Sequence, residues 1–535
     1  MSAKPVTLDI NHLPDDLEFL KQLVRDLVGE TEDLRHKLSE ALRQRFGRKS
    51  ETYSEEQLEL FLKQIQDKLK DQPKLPEVEP APKAPFVGHG RRKTAPKLPR
   101  VEAHYPLPGD QKACTDCGLP LRKIGEESRT LYDYIPSSIV RREETREKWG
   151  CPKCADKVVA SAFPPQAIER CMAGDGLLAQ VAVSKFGYHL PLYRQSEIFS
   201  HQGFVVNRST LCHWIAQVAD VFDPVYRFMI AEALLSKVLH SDDTVVPVLE
   251  DRRGEGHEKA PPDDVGQETA ADEPRGPRKA REGRLWTWVG DKDHPLTVFS
   301  YTPNREGEGP QDFLKPWKGF LQADAYAGYD ALFVEGRGIV EVACWAHTRR
   351  KFFEAKNTDK SRCGEAIAFI HRLYEVERQA KDKSAAERRA MRQEFSKPVL
   401  EAFKVWLDAQ AMTVLPKSPV NKAIGYALRQ WKALERYVED GDLAIDNNPA
   451  ENALRCVAIG RKNYLFAGTD AGGHRAAVLY SLMASCKRHG LNPFDYLRDV
   501  LGRLALRPGA AELRELLPDH WKPPIPLPQP LQAAT

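Results

Sequence analysis

No stretch of the sequence approaches the roughly 18 to 20 apolar residues that a membrane span needs. The N-terminal MSAKPVTLDI also lacks the charged-then-apolar pattern of a secretory signal. A cytoplasmic chain with no membrane partner is therefore expected. Charge of one sign is missing too. Lys and Arg number 79 against 76 Asp and Glu, which leaves +3 and excludes binding to a polyanion through a global field. Any nucleic-acid contact must come from local basic patches. There is no Gly-rich phosphate loop, and no Ser or Cys nucleophile stands in a motif beside a base, so P-loop and covalent acyl chemistry have nothing to carry them. Cysteine is sparse, ten in 535 residues, and four fall in two Cys-x-x-Cys pairs. That excludes a disulfide framework and points to metal in a reducing compartment. What is present, 41% hydrophobic residues, suffices for several cores, so a multidomain chain is expected.

Three acidic residues stand in distinctive settings: Asp242 in LHSDDTVVPVL, Asp324 in FLQADAYAGYD and Glu451 in IDNNPAENALR. The first two end short apolar runs, as expected at the C-terminal tips of strands, where ligands of open α/β sheets gather. The third follows Asn447-Asn448-Pro449, an opening that suits the first turn of a helix. Three converging carboxylates suit a pair of hard divalent cations, two Mg²⁺ with Mn²⁺ as a substitute, for direct metal-assisted attack on a phosphodiester.

Residues 1–70 read as helical: Leu20, Leu27, Leu34 and Ala41 recur at heptad spacing beside Val24, Thr31 and Leu38. A short coiled coil is the favoured reading, against an amphipathic helix packed on its own chain. Gly47 is expected to break it, before a second amphipathic helix bearing Leu58, Phe61, Leu62, Ile65 and Leu69. Residues 71–100 are a Pro-rich linker whose Arg91, Arg92 and Lys93 either track phosphates or are merely solvated. In 101–165, Cys114 and Cys117 answer Cys151 and Cys154, the donor set of one structural Zn²⁺, which would present Arg141, Arg142 and Arg146. Residues 166–235 carry helix-turn-helix punctuation, with a turn at Gly203 and a cap at Asn207 or Ser209. Asn207, Arg208, Ser209, Thr210 and His213 could then face a groove, and a plain helical hairpin bracing the next domain remains the alternative.

Residues 236–354 read as five strands and a helix, interrupted by a polar insertion at 250–284 that cannot support a core and is expected to be disordered. Residues 355–440 are a helical insertion, 441–470 carry Glu451, 471–520 are helical again, and 521–535 form a Pro-rich tail. Arg455, Arg461 and Lys462 suit phosphates. Asn463, Tyr464 and Phe466 could meet bases, with apolar packing favoured for Phe466. Cys344 and His347 look like half a metal site with no second half nearby. Together with Arg349 and Arg350, they are read as supporting residues.

The wording of RFGRKSE (45–51), CTDCG (114–118), SKFGYHLPLYRQSEIF (184–199), STLCHW (209–214), CWAHTRRKFF (344–353), GRKNYLFAG (460–468) and LYSLMASCKRHGLNPFDYL (479–497) resembles the transposases of the insertion-sequence 66 family. That resemblance covers nearly the whole chain. It implies a ribonuclease-H-like core in which Asp242, Asp324 and Glu451 are the Asp-Asp-Glu metal triad. It also implies transposon-end and target DNA as partners, a homo-oligomer, small accessory proteins of the same element, and a bacterial, nucleoid-associated setting. One position departs: the family's Asp-Glu-Thr reads Asp242-Asp243-Thr244 here, which leaves Asp243 as a rival first ligand. A non-catalytic DNA-binding protein and a nuclease without strand transfer are the alternatives.

Overall fold

The computed structural model describes residues 16–46, 55–69, 73, 75, 139–146, 148–150, 158–160, 162–249 and 280–523. The expected zinc ligands Cys114, Cys117, Cys151 and Cys154, the basic Arg91, Arg92 and Lys93, Gly47 and most of the polar insertion lie outside them. The chain divides into two compact units, Met1–Lys74 with Arg141–Thr535, and Leu75–Val140. The first unit carries the architecture. No helix among the described residues is long and apolar enough to cross a membrane.

The heptad-bearing segment is one helix, α1 (Leu17–Phe46), followed by α2 (Glu55–Gln66). A short antiparallel pair, β1 (Lys148–Gly150) with β2 (Val158–Ala160), precedes the main fold. Three helices come next: α3 (Asp175–Phe186), α4 (Leu192–His201) and α5 (Arg208–Ala233). Gly203, at φ +81°, turns the chain between the last two as its freedom from a Cβ allows. Asn207 occupies the N-cap position of α5 but makes no side-chain capping bond. The apolar stripe of α5 (Leu211, Trp214, Val218, Phe222, Val225, Met229) is buried, so the helix braces the core along its length.

Five strands form the sheet: β3 (Val238–Leu249), β4 (Ala280–Val289), β5 (Thr297–Thr302), β6 (Gly319–Gln322) and β7 (Ile339–Val342). Their spatial order is β5-β4-β3-β6-β7. The first three form an antiparallel meander, and β6 and β7 add in parallel. This mixed sheet with helices around it is consistent with a ribonuclease-H-like core. After β5 comes α6 (Glu308–Phe313), and after β7 comes α7 (Trp345–Ala355).

The helical insertion follows as α8 (Lys360–Ala380), α9 (Ala385–Met391), α10 (Lys397–Ala411), α11 (Pro419–Arg429) and α12 (Trp431–Glu435). Its core is aromatic. Phe369 stacks on Phe403 at 4.9 Å between ring centroids, with Trp345, Trp406 and Trp431 around them. The apolar face of α2 packs here: Ile65 is fully buried, and the Phe61 ring lies where a side chain on Gly364 would stand.

The chain then returns to the sheet through α13 (Asn448–Tyr464) and covers it with α14 (Asp470–Arg488). The Ser481 and Ser485 hydroxyls of α14 accept the Phe299 and Thr297 N–H groups at 2.8 and 3.0 Å. The edge strand β5 is thereby satisfied instead of left open. Helices α15 (Pro493–Leu504) and α16 (Ala510–Glu515) complete the chain. Trp521, assigned from sequence to the tail, is buried against Tyr496, so the ordered C-terminal region runs through it.

Candidate active site

One expectation about the acids needs correcting. Asp242 does not end its strand; it is the fifth residue of twelve in β3. What ends nearby is the parallel ladder, whose last pair is His240 with Gln322. Beyond it β3 continues because β4 pairs with it as far as Leu249. Asp242 and Asp324 each lie two positions past that last pair, so the ladder register sets them side by side.

Glu451 reaches them on the first turn of α13, where Pro449 sits without an N–H to waste. The N-terminus of α13 is bolted to the sheet by residues the sequence did not single out. Asn447 is fully buried; its side-chain nitrogen donates to the Ser241 carbonyl at 2.8 Å and its oxygen meets His240 Nδ1 at 3.1 Å. Burial holds His240 down to about 4, which keeps it neutral. Gln322 in β6 donates to the Asp446 carbonyl at 3.2 Å and accepts from Ala444 N–H at 3.2 Å. The only local signal for these residues is that a polar side chain, His240 or Gln322, stands two places before each Asp in an apolar run.

The three carboxylates feel one another. Burial, then Asp324 and more weakly Asp243 and Glu451, push the Asp242 carboxyl up to about 7. Asp324 is also raised, mainly by burial, with His347 and Arg305 opposing and Asp243 and Glu451 adding. Asp243 differs from its neighbour. Arg284 reaches its Oδ2 at 3.0 Å and Arg305 its Oδ1 at 2.9 Å, and its side chain is only 3% exposed. With both oxygens held by guanidinium groups, Asp243 is neutralised in place, whereas Asp242 accepts one backbone N–H, that of Asp243. Arg284 and Arg305 went unnoticed in the sequence, because nothing local ties them to Asp243. Hard oxygen donors with raised proton affinity, and a buried Glu451 Oε1 without a hydrogen-bond partner, fit divalent cations well.

The expectation that Cys344 and His347 have no second half nearby does not hold in space. His347 Nε2 lies 3.8 Å from Glu451 Oε1, and one ligand-type atom from each of Cys344, His347 and Glu451 falls within 4.8 Å of the others. Among the described residues this is the tight ligand cluster. The acids are spread more widely, as suits two ions about 3.5–4 Å apart rather than one. Cys344 is the N-cap of α7, so two helix N-termini, those of α7 and α13, open on the same site.

The remaining candidates divide by position. Arg455, Lys462 and Asn463 are exposed on α13, although Asn463 also donates to the Ile459 carbonyl at 3.2 Å. Arg461 turns inward and donates to the Val245 carbonyl and Thr244 hydroxyl, so its charge ties α13 to β3. Tyr464 is half-buried. Phe466, expected to pack, is 47% exposed, because Leu465 before it leaves the helix at φ +62° and turns the chain outward. Asn207, Arg208, Ser209 and His213 are exposed at the start of α5, with Thr210 half-buried. Arg349 and Arg350 are half-buried on α7.

Comparison with known proteins places this geometry in a lineage. A sequence model of the transposase IS66 family matches residues 170–260 and 266–475, a span holding all three acids. The IS66 C-terminal element matches 481–518, and the zinc-finger binding domain of transposase IS66 matches 111–155, which contains the four paired cysteines. A leucine-zipper model, described as transposase C of IS166 homeodomain, matches 33–103. Similar proteins come from Sinorhizobium fredii (strain NBRC 101917 / NGR234). Its uncharacterized protein y4hP is 34% identical over 432 residues, covering 76% of this chain and 73% of that protein. Uncharacterized protein y4jD is 30% identical over 453 residues, covering 81% and 84%. Uncharacterized protein y4qI is 29% identical over 506 residues, covering 91% and 86%. With more than half of its length matched by the core model alone, and zinc-finger, leucine-zipper and C-terminal elements beside it, the chain belongs to the IS66 family of transposases.

Proposed function

We infer that this transposase cuts and joins DNA by metal-dependent phosphodiester chemistry at Asp242, Asp324 and Glu451. The observation that carries the reading is the convergence of three carboxylates, Asp242 and Asp324 set side by side by the register of β3 with β6, and Glu451 brought by the first turn of α13. Bound there, a pair of Mg²⁺ ions, or Mn²⁺ in their place, would supply charge stabilisation to the attacking and leaving oxygens of an in-line displacement. Asp242, Asp324 and Glu451 would hold those ions, Asp242 and Asp324 from the sheet and Glu451 from the first turn of α13. The N-termini of α7 and α13 turn their partial positive charge toward the phosphate. Arg284 and Arg305 cancel the charge of Asp243, so it does not compete for the cations. The reaction runs in two stages: hydrolysis frees the transposon 3′ end, and that hydroxyl then attacks target DNA.

Other parts of the chain hold the substrate. Exposed Arg455 and Lys462 track phosphates, and the start of α5 (Asn207, Arg208, Ser209, His213) faces a groove. One zinc ion held by Cys114, Cys117, Cys151 and Cys154 folds the 101–165 module, while 1–70 joins subunits. The test is Asp324→Asn. Cleavage of end-bearing DNA is expected to fall to background while end binding survives, because a metal ligand acts on chemistry and not on docking. Equal loss of binding and cleavage would overturn the assignment.

A further inference from the structure

Cys344 and His347 have no part in the chemistry given above to the carboxylates, yet both sit against Glu451. Cys344 is the N-cap of α7, and His347 lies within the first turn, so the Cys-x-x-His spacing delivers both side chains to one helix end. The three ligand-type atoms of Cys344, His347 and Glu451 lie within 4.8 Å of one another. Tetrahedral zinc, with bonds of about 2.0–2.3 Å, holds its ligand atoms about 3.4–3.8 Å apart, so a shift of about an ångström closes the three on one ion. Glu451 Oε1, the oxygen that His347 Nε2 faces at 3.8 Å, is buried and has no hydrogen-bond partner. Such an orphan is rare in protein interiors and calls for a ligand or another explanation. The Cys344 sulfur already accepts the Asn447 N–H at 3.2 Å, with the Ala346 and His347 N–H groups also directed at it. Outer-shell donors of this kind orient and support metal ligands. Thiolate, imidazole and carboxylate make a borderline-soft donor set, which selects Zn²⁺, whereas three carboxylates select Mg²⁺.

We propose that Cys344, His347 and Glu451 form a Zn²⁺ site that competes with the catalytic carboxylates for Glu451, so that zinc silences strand cleavage without releasing DNA. This rests on the reading that Glu451 serves the catalytic metals. Binding is a proton-for-metal exchange: a Zn–S bond forms at Cys344, the thiol proton goes to solvent, and no electrons move. Three protein ligands leave a fourth coordination position for water.

The experiment uses the full-length chain and Zn²⁺ itself. After dialysis against Zn²⁺, metal analysis is expected to find one more zinc per chain in the parent than in either Cys344→Ser or His347→Ala. The zinc finger contributes equally to all three and cancels. Because Cys344 is buried and its serine variant could misfold, the half-exposed His347 supplies the independent variant. Cobalt loading gives a second readout, a thiolate-to-metal charge-transfer band that weakens in both variants by the contribution of one sulfur. In Mg²⁺, added Zn²⁺ is expected to cut the cleavage rate of the parent at least tenfold and that of His347→Ala less than twofold, each relative to its own zinc-free rate. Equal zinc content and equal cobalt spectra in parent and variants would overturn the site, and equal zinc sensitivity would overturn the competition. Asp242→Asn separates this from the catalytic reading, since it keeps the extra zinc and loses cleavage. An active Asp242→Asn would sink the catalytic assignment while leaving the zinc count to stand by itself.

Discussion

Asn447 makes two buried hydrogen bonds to β3 from the position just before the helix that carries Glu451. Removing it in Asn447→Ala strands His240 Nδ1 and the Ser241 carbonyl in the interior, a cost of about 1–3 kcal/mol. Cleavage should fall further than that stability loss explains, because Glu451 is four residues on. Denaturant unfolding and cleavage rates of the same variant, compared at a temperature where both forms are folded, check this. At the neighbouring pair, Asp243→Asn frees Arg284 and Arg305 and is expected to lower stability while retaining more cleavage than Asp242→Asn. The reverse order would make Asp243 the first ligand.

Asp242 also ties stability to pH. Its carboxyl rises from an ordinary 3.8 to about 7 in the folded chain, so the folded state holds this proton more tightly than the unfolded one. The stability it contributes is complete below the ordinary carboxylate range and is lost as pH climbs through about 7. A divalent cation that replaces the proton removes that loss. Mg²⁺ is therefore expected to raise the melting temperature more at pH 8 than at pH 5.5, and to do so much less in Asp242→Asn. Equal increments at both pH values would count against metal binding at this carboxyl.

Among the elements, α1 stands out for what it leaves uncovered. Leu27 and Leu34 are 54% and 64% exposed, Val24 and Leu38 about as much, and the helix meets its own chain closely at Gly29, beside the Pro416 carbonyl. An apolar seam left open along a helix suits a second copy of itself. Leu27→Ser with Leu34→Ser is expected to weaken self-association and the pairing of two DNA ends more than binding to one end. Sedimentation with and without end DNA reads the difference, and unchanged assembly would remove the seam from the interface.

Elements of this kind were legible because each carries its own signal: heptads for α1, an apolar stripe for α2, turn and cap residues for α5, and β-branched and aromatic runs for the five strands. The three acids were legible because their settings are short and local. Asp242 was misplaced on its strand because the extension of β3 depends on β4, from which a long polar insertion separates it. The bolts around Glu451 were invisible for the same reason, since His240 meets Asn447 across 207 positions of sequence. Exposure of Phe466 depends on the backbone of Leu465, and no periodicity announces a positive φ there.

At the scale of the molecule, the helical insertion is the frame from which Glu451 hangs. Arg392, 2% exposed, grips Glu377 through two bonds of 2.7 Å and donates to the Tyr437 and Asp440 carbonyls at 2.8 and 2.9 Å. It thereby fixes the chain just before it returns to the sheet, where Lys237 meets Asp440 and Asp442. A buried guanidinium with every partner in place is costly to break. Arg392→Ala should lose about 3–5 kcal/mol, and its surviving folded fraction should cut poorly. Unfolding curves with cleavage normalised to folded protein test both halves.

The placement of the third acid after the insertion also orders events in time. Two acids come with the sheet, and the third comes from a segment beyond the helical insertion, so the full set forms through contacts of long sequence separation, the kind that slow folding. If these acids are the cutting set, a copy in which that last contact has not formed is expected to leave end-bearing DNA uncut, which a cleavage assay during refolding reads directly.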